Sequence, residues 1–325
     1  VPVNDSAAVT AQIVALARER GSVRVVPAGA LSVGLRGEQL ADHAGMCAAG
    51  SVALTDDGRC LMHSGLMRAA LERARSLSVP VLQHCEDHGL SGGGAINEGP
   101  LARRLGVSSQ PPQAESIIVA RDVELVQLTG APYHAQHLST AASLDHVRRA
   151  RARGLPVSCE VTPHHLFLSE ADCAGGDPAA KVNPPLRSAA DREAVVEAVA
   201  DGTADAIATD HAPHAAEEKQ RPLADAPFGI AGIELALPLC LELWRRGVAP
   251  LQRVLAMLSC NPARILGVPG GALHPGGPAD VAVIDPELRW TVDPDALRSR
   301  GRNTPLAGRP LRGAVIATVV DGKLV

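Results

Sequence analysis

At 325 residues, 46% apolar and 20% charged, the chain is long enough for one large α/β domain and a small appendage, and its composition is that of a soluble globular protein. A net charge of −4 without a basic cluster excludes a surface that tracks nucleic-acid phosphates. No apolar run reaches the roughly 18 residues of a membrane span, and the seven cysteines (Cys47, Cys60, Cys85, Cys159, Cys173, Cys240 and Cys260) are odd in number without a C-x-x-C spacing, so they read as reduced thiols of a cytoplasmic protein.

In chain order, six short apolar segments read as strands: residues 23–28, 51–55, 79–84, 132–137, 156–161 and 204–209. Segments of helical period lie between them at 64–76, 114–128, 141–153 and 189–200, with Ser139-Thr140 placed to cap the third. Apolar strands alternating with helices predict a parallel sheet covered by helices. Residues 230–246 and 249–259 read as two further helices. Beyond Asn261-Pro262 the character changes. Residues 267–278 are rich in Gly and Pro, and 279–284, 289–292 and 314–320 read as short strands, with a turn at Asp321-Gly322. The predicted division is a (β/α) barrel over 1–266 and a small β domain over 267–325.

Five of the six strands run at their C-terminal ends into acidic or imidazole side chains: Asp56-Asp57, His84, His137, His164-His165 and Asp210-His211. Such residues spread over many strand ends favour a barrel, whose site is built at that face, over a doubly wound sheet with one switch point. A closed barrel needs eight strands. With six visible, and Val1 in place of Met, the chain is expected to be processed or a fragment that begins two βα units late. Imidazole nitrogens and carboxylate oxygens at the ends of successive strands are natural ligands for Zn²⁺ or a similar ion. A single such residue is usually structural; four at corresponding positions, Asp57, His84, His137 and Asp210, are harder to assign to packing.

Several segments carry a specific resemblance. Asp205-Ala-Ile-Ala-Thr-Asp-His-Ala-Pro-His214, Lys181-Val-Asn-Pro-Pro-Leu-Arg187, His84-Cys-Glu-Asp87, Asn97-Glu-Gly-Pro100, Glu160-Val-Thr-Pro-His-His165 and Arg302-Asn-Thr-Pro305 resemble the signatures of dihydroorotases, in that family's order and over the whole chain. The resemblance implies an amidohydrolase-type (β/α)8 TIM barrel, here lacking its first two βα units, plus the C-terminal part of a small β-sandwich. It implies metal ligands on strands 4, 5, 6 and 8, which the strand count assigns to Asp57, His84, His137 and Asp210. It also implies an H-x-H pair on strand 1 that this sequence does not contain. Relatives commonly use a carbamylated lysine on strand 4, but the only lysines here are Lys181, Lys219 and Lys323. The chain therefore resembles the subgroup in which an aspartate, Asp57, bridges one or two Zn²⁺ ions; the neighbouring Asp56 reads as a turn residue before Gly58.

The activity so implied is reversible cyclisation of N-carbamoyl-L-aspartate to (S)-dihydroorotate plus water, in pyrimidine (UMP) biosynthesis. Activated water attacks the ring amide carbonyl in the hydrolytic direction, and Asp210 acts as general base and then acid. Asn183, His214, Phe228 and Gly229 are the substrate contacts carried over by resemblance. Structural readings stand beside them: Asn183 as a loop former before Pro-Pro, His214 as a solvated loop residue. His164-His165 reads either as a pair near the metals or as loop support, His134 as packing on the opposite strand face, Gly92-Gly93-Gly94 as flexibility beside His84, and 217–221 as a solvated loop. A homodimer and a complex with aspartate transcarbamoylase are the implied assemblies. The alternatives are a non-catalytic dihydroorotase-like subunit that scaffolds aspartate transcarbamoylase, and another cyclic amidase such as allantoinase or dihydropyrimidinase. Without the H-x-H pair these 325 residues alone are expected not to form a stable, competent enzyme; a cooperative melt together with dihydroorotate turnover would contradict that.

Overall fold

The computed structural model describes residues 2–325. Its strands are β1 (Ala28–Gly29), β2 (Ala53–Leu54), β3 (Val81–Gln83), β4 (Ile96–Asn97), β5 (Ser109–Gln110), β6 (Tyr133–Ala135), β7 (Val157–Val161), β8 (Ala206–Ile207), β9 (Val281–Thr291), β10 (Pro310–Val320) and β11 (Lys323–Leu324). Six of them form one sheet in the order β1-β2-β3-β6-β7-β8, every pair parallel. Strands adjacent in space in their chain order, with helices between them, make the wall of a TIM-type (β/α) barrel, which brings all strand C-termini to one face. The core runs through the sheet: Val81 pairs with Tyr133, and Tyr133 with Val157, all three buried.

The helices that cover the sheet follow from the sequence. Helix Ser64–Leu77 buries Met67, Ala70, Leu71 and Ala74, a stripe at the i, i+3, i+4, i+7 spacing. Removing a Leu or Met side chain from water contributes about 1.5–3 kcal/mol, so this face alone fixes the helix against its neighbours. Helix Ala141–Ala152 begins where expected: Thr140 accepts a hydrogen bond from the Ser143 N–H at 3.2 Å.

Several elements differ from expectation. The segment 23–28 forms a strand only at its end, where Gly29 carries no Cβ to meet the Met46 sulfur. Helix Ala7–Arg20 was not foreseen; only Thr10 is buried, so its apolar residues form no single stripe. The helix expected from 230 starts at Ala236, because residues 232 and 233 turn around the His211 ring and donate both backbone N–H groups to its Nδ1. Helix Cys260–Leu266 contains Pro262 in its first turn, where a missing N–H does no harm. The segments at 279–284 and 289–292 are one antiparallel strand, β9, paired with β10. Pro286 sits at a register shift opposite Gly313, and the Asp285 carboxylate accepts from the Glu287 and Leu288 N–H groups there, so the bulge interrupts the sequence pattern without ending the strand. Among the described residues, no helix is long and apolar enough to cross a membrane.

Candidate metal centre

Three side chains leave the ends of neighbouring strands and converge: Asp57 after β2, His84 after β3 and His137 after β6. His84 Nδ1 lies 3.0 Å from His137 Nε2, His137 Nε2 lies 3.4 Å from Asp57 Oδ1, and His84 Nδ1 lies 3.8 Å from that same oxygen. A tetrahedral ion with ligand bonds of about 2.0–2.1 Å separates its ligands by roughly 3.4 Å, so the triangle has the size a Zn²⁺-like ion needs. Two imidazole nitrogens facing each other require a proton or a cation between them. The donor set, two imidazoles and a carboxylate, suits a divalent ion.

The strand ends aim these groups at some expense in backbone energy. His137 and Asp210 hold φ of 36° and 45°, the left-handed region that costs a non-glycine residue on the order of 1–3 kcal/mol. His84 is fixed from behind: its Nε2 meets Glu86 Oε2 at 2.8 Å, and Asn183 Nδ2 donates to that same oxygen at 2.7 Å. The Asn183 carbonyl in turn accepts from Gln110 Nε2 at 3.1 Å, which also donates to the Gly94 carbonyl. Beneath them the buried Arg187 donates to Asn97 Oδ1 and to the Gln110 carbonyl.

Charge is strongly organised here. Asp57 keeps nearly half of its side chain open to solvent at the mouth of the cluster; desolvation by the surrounding loops works against its ionised form, but the hydrogen bond and charge of His137, with His84, hold its carboxyl at about 2. Burial likewise works against the His137 cation and is outweighed by the Asp57 hydrogen bond and the Asp210 charge, which carry it to about 9. Burial raises the Asp210 carboxyl; His137 opposes this and the like charge of Asp57 adds to it.

Asp210 lies outside the three-residue group, with Oδ2 3.9 Å from His164 Nε2. That nitrogen is buried with no hydrogen-bond partner among the described residues, and burial lowers the ring well below its ordinary range, so His164 is neutral at neutral pH. The adjacent His165 divides from it in role: its nitrogens are taken by Thr162 Oγ1 at 2.8 Å and the Pro184 carbonyl at 3.0 Å, and it braces the loop. Asp56 is buried and accepts from the Leu31 and Ser32 N–H groups, so it anchors the preceding loop and faces away from the cluster.

Of the expected substrate contacts, Asn183 reaches the cluster through Glu86 and His84. His214, Phe228 and Gly229 are gathered together: His214 Nε2 meets the Phe228 carbonyl at 2.8 Å, leaving Nδ1 3.4 Å from Glu218. Gly229 has φ +136°, and a Cβ there would lie 2.5 Å from Ala212 Cβ and 3.2 Å from His214 Nε2. Asn303 stitches these loops, accepting from the His214 N–H and donating to the Ala212 and Gly229 carbonyls.

Three readings of the sequence need correction. In the glycine run Gly94 is a close approach, because a Cβ there would overlap the Ser109 backbone beside the paired strands β4 and β5, whereas Gly92 and Gly93 hold positive φ of 52° and 70° with open space around them. The 217–221 segment is not wholly solvated. Lys219 is buried and donates to the carbonyls of Pro178, Lys181 and Pro227. His134 does more than pack: its Nδ1 meets Ser158 Oγ at 2.7 Å and its Nε2 meets Glu160 at 3.1 Å. Glu86, Gln110 and Asn303 escaped the sequence reading, although each lies within or near one of the quoted motifs, and Glu86 stands two residues after a candidate ligand.

A family model described as dihydro-orotase-like matches residues 3–143, and one described as amidohydrolase family matches residues 121–325. The chain is 50% identical to a curated dihydroorotase of Anaeromyxobacter dehalogenans, over all of this chain and 75% of that protein. It is 49% identical to a dihydroorotase of Pelotomaculum thermopropionicum, over all of this chain and 76% of the relative. The solved structure of L-hydantoinase (dihydropyrimidinase) from Arthrobacter aurescens superposes with a TM-score of 0.88 at 24% identity, over all of this chain and 74% of that one, a likeness of fold. With half its residues identical to a dihydroorotase from end to end, this chain belongs to the dihydroorotase family of the amidohydrolases, enzymes that hydrolyse cyclic amides.

Proposed function

We propose that this chain supplies Asp57, His84, His137 and Asp210 to the active site of a dihydroorotase, which interconverts N-carbamoyl-L-aspartate and (S)-dihydroorotate in pyrimidine synthesis. The observation that carries this reading is the ion-sized triangle of Asp57, His84 and His137 at the strand ends. Zn²⁺, as one or two ions, is the metal we assign, with Asp57 standing where lysine-bearing relatives place their bridging group. A divalent ion held there supplies Lewis-acid polarisation of the amide carbonyl and lowers the pKa of a bound water.

The remaining work falls to side chains. In the hydrolytic direction Asp210 takes a proton from the attacking water at its carboxylate. As the ring C–N bond breaks, it returns that proton to the departing nitrogen. Neutral His164, with a free buried nitrogen toward Asp210 Oδ2, can hold that carboxylate in place without neutralising it. Asn183 donates one N–H to Glu86 at 2.7 Å, and its second N–H, on a nitrogen 3.3 Å from His84 Nε2, is the one we assign to a ring amide. Gly229 lets a planar ring approach the backbone, and His214, held at Nε2 by the Phe228 carbonyl, has Nδ1 to donate to the carboxylate of the substrate in place of Glu218. The same resemblance extends the proposal to a cytoplasmic protein, a homodimer and docking to aspartate transcarbamoylase.

The test is interconversion of dihydroorotate and N-carbamoyl-L-aspartate by the Zn²⁺-supplied protein, beside dihydrouracil and allantoin as competing substrates. Asp210→Asn should lower kcat by about 10²–10⁴-fold per metal-loaded site, with metal content measured for each protein. Faster turnover of dihydrouracil or allantoin than of dihydroorotate would overturn the substrate assignment, and an Asp210→Asn variant with near-normal kcat would overturn the role of Asp210.

A further inference from the structure

We infer that Glu86 is a positioning residue for the metal centre: its carboxylate fixes the tautomer and the aim of His84, and Asn183 and Gln110 lock that carboxylate in place. This deepens the metal reading above and rests on it.

The geometry is specific. His84 presents Nδ1 to Asp57 and His137 and turns Nε2 to Glu86 Oε2 at 2.8 Å. Two groups face Nε2, the Glu86 carboxylate at 2.8 Å and the Asn183 amide nitrogen at 3.3 Å. The shorter contact is to a group that only accepts, and the Asn183 N–H is spent on Glu86 Oε2 at 2.7 Å, so the proton of a neutral His84 sits on Nε2 and Nδ1 is left with the bare lone pair a metal requires. Glu86 is itself nine-tenths enclosed, with a side-chain exposure of 9%. It cannot swing away, because Asn183 Nδ2 donates to the same Oε2 at 2.7 Å and the His88 ring stands 3.6 Å from Oε1.

Which way the Asn183 amide points is decided one step further out. Gln110 donates Nε2 both to the Gly94 carbonyl and to Asn183 Oδ1, and its own carbonyl accepts from Arg187 and from the Glu98 N–H. Gln110 is thus anchored to backbone at β5, and Asn183 must show its NH₂ to Glu86. The series Gly94, Gln110, Asn183, Glu86, His84 runs from a two-stranded pair to the ligand lone pair. A carboxylate behind a metal-bound imidazole makes the ring a stronger base and removes its freedom to rotate, and losing such a partner weakens metal affinity by about 10–100-fold. Glu86 touches neither metal nor substrate in this role.

The experiment uses the whole protein in two measurements. In the first, Zn²⁺ dissociation constants are determined by competition with a chromophoric chelator for the wild type, Glu86→Gln and Glu86→Asp. Circular dichroism of the metal-free proteins checks that all three are folded. Glu86→Gln keeps size and an acceptor oxygen but loses the charge, and should bind Zn²⁺ about 10–100-fold more weakly. Glu86→Asp retracts the carboxylate and should fall between. In the second, long-range ¹H–¹⁵N correlation of the metal-free protein, with the His84 ring assigned by its loss in His84→Gln, should show the proton on Nε2 in the wild type. Mixed tautomers should appear in Glu86→Gln, whose amide can donate as well as accept. Wild-type Zn²⁺ affinity in a folded Glu86→Gln protein, or an Nδ1-protonated His84 in the wild type, overturns the inference about Glu86 alone. A wild-type protein that binds no Zn²⁺ overturns the metal reading itself, and the two failures are therefore distinct.

Discussion

Loading the site with metal should release a countable proton, and Asp57 should control that count. In the metal-free chain His137 stands at about 9, held there against burial by the Asp57 hydrogen bond and the charges of Asp210 and Glu160. At pH 7.5 a group with that pKa is about 97% protonated, so binding a metal at Nε2 must displace about one proton. Asp57→Asn removes the hydrogen-bonded charge and leaves burial opposed only by Asp210 and Glu160. A return of His137 to its ordinary 6.5 leaves about 0.1 proton to displace at the same pH. The difference between the two proteins is then about 0.9 proton per bound ion from His137, and because Asp57 is itself a ligand the contribution of water on the metal is taken from the pH dependence of each protein separately. Isothermal titration with Zn²⁺ at pH 7.5, in several buffers of different ionisation enthalpy, reads this number from the slope of heat against buffer enthalpy. A wild-type release that matches the Asp57→Asn value within about 0.2 proton would show that the Asp57–His137 pair does not hold the proton, and the electrostatic account of the cluster would fall.

Two further outcomes are read by urea unfolding, one at Gly229 and one at the Asp57–His137 pair. Gly229→Ala forces a side chain into φ +136° with its Cβ 2.5 Å from Ala212 Cβ and 2.8 Å from the Ala212 carbonyl oxygen. Backbone strain and overpacking of about 1–3 kcal/mol each give an expected loss of roughly 2–6 kcal/mol in urea unfolding, and a loss under about 0.5 would contradict the close packing described. The pH dependence of metal-free stability has a definite sign. The raised His137 contributes stability fully below 6.5 and loses it as pH climbs through about 9, whereas the lowered Asp57 contributes above 3.8 and loses it as pH falls toward about 2. The pair therefore supports the fold best between those limits. Asp57→Asn should flatten the decline of the urea midpoint between pH 6.5 and 9; an unchanged decline would assign it to other groups.

The barrel wall and the sites at its rim were legible because both rest on local signals. Each strand of a parallel sheet is a short apolar run, and the residue that ends it lies at the common face, so the strand-end positions of Asp57, His84, His137 and Asp210 could be read one at a time; the structure brings the first three together. What escaped is what depends on contacts between distant segments. Glu86 meets Asn183 across 97 residues of chain, and Gln110 meets Asn183 across 73. No periodicity in either segment records that meeting. Asp56 and Asp57 are chemically identical neighbours, and only the backbone decides that one anchors Leu31 and Ser32 while the other faces the histidines. Lys219 looked solvated because a run of charges usually is. Three inward carbonyls, two from the turn at residues 178–181 and one from Pro227, make it an exception. The comparison of His164 with His165 makes the same point: one motif, two adjacent rings, and different work for each.

The left-handed backbone at His137 and Asp210 also bears on how this protein can change. At both positions glycine would sit more comfortably than the residue present, by up to about 1–3 kcal/mol in backbone conformation alone. Selection for thermal endurance and selection for chemistry therefore pull in opposite directions at these two codons. A lineage released from the need for activity would be expected to relax there early, while the buried apolar wall persists. In a set of sequences sharing this fold, the residues at 137 and 210 would then separate working descendants from retired ones more sharply than any measure of overall similarity.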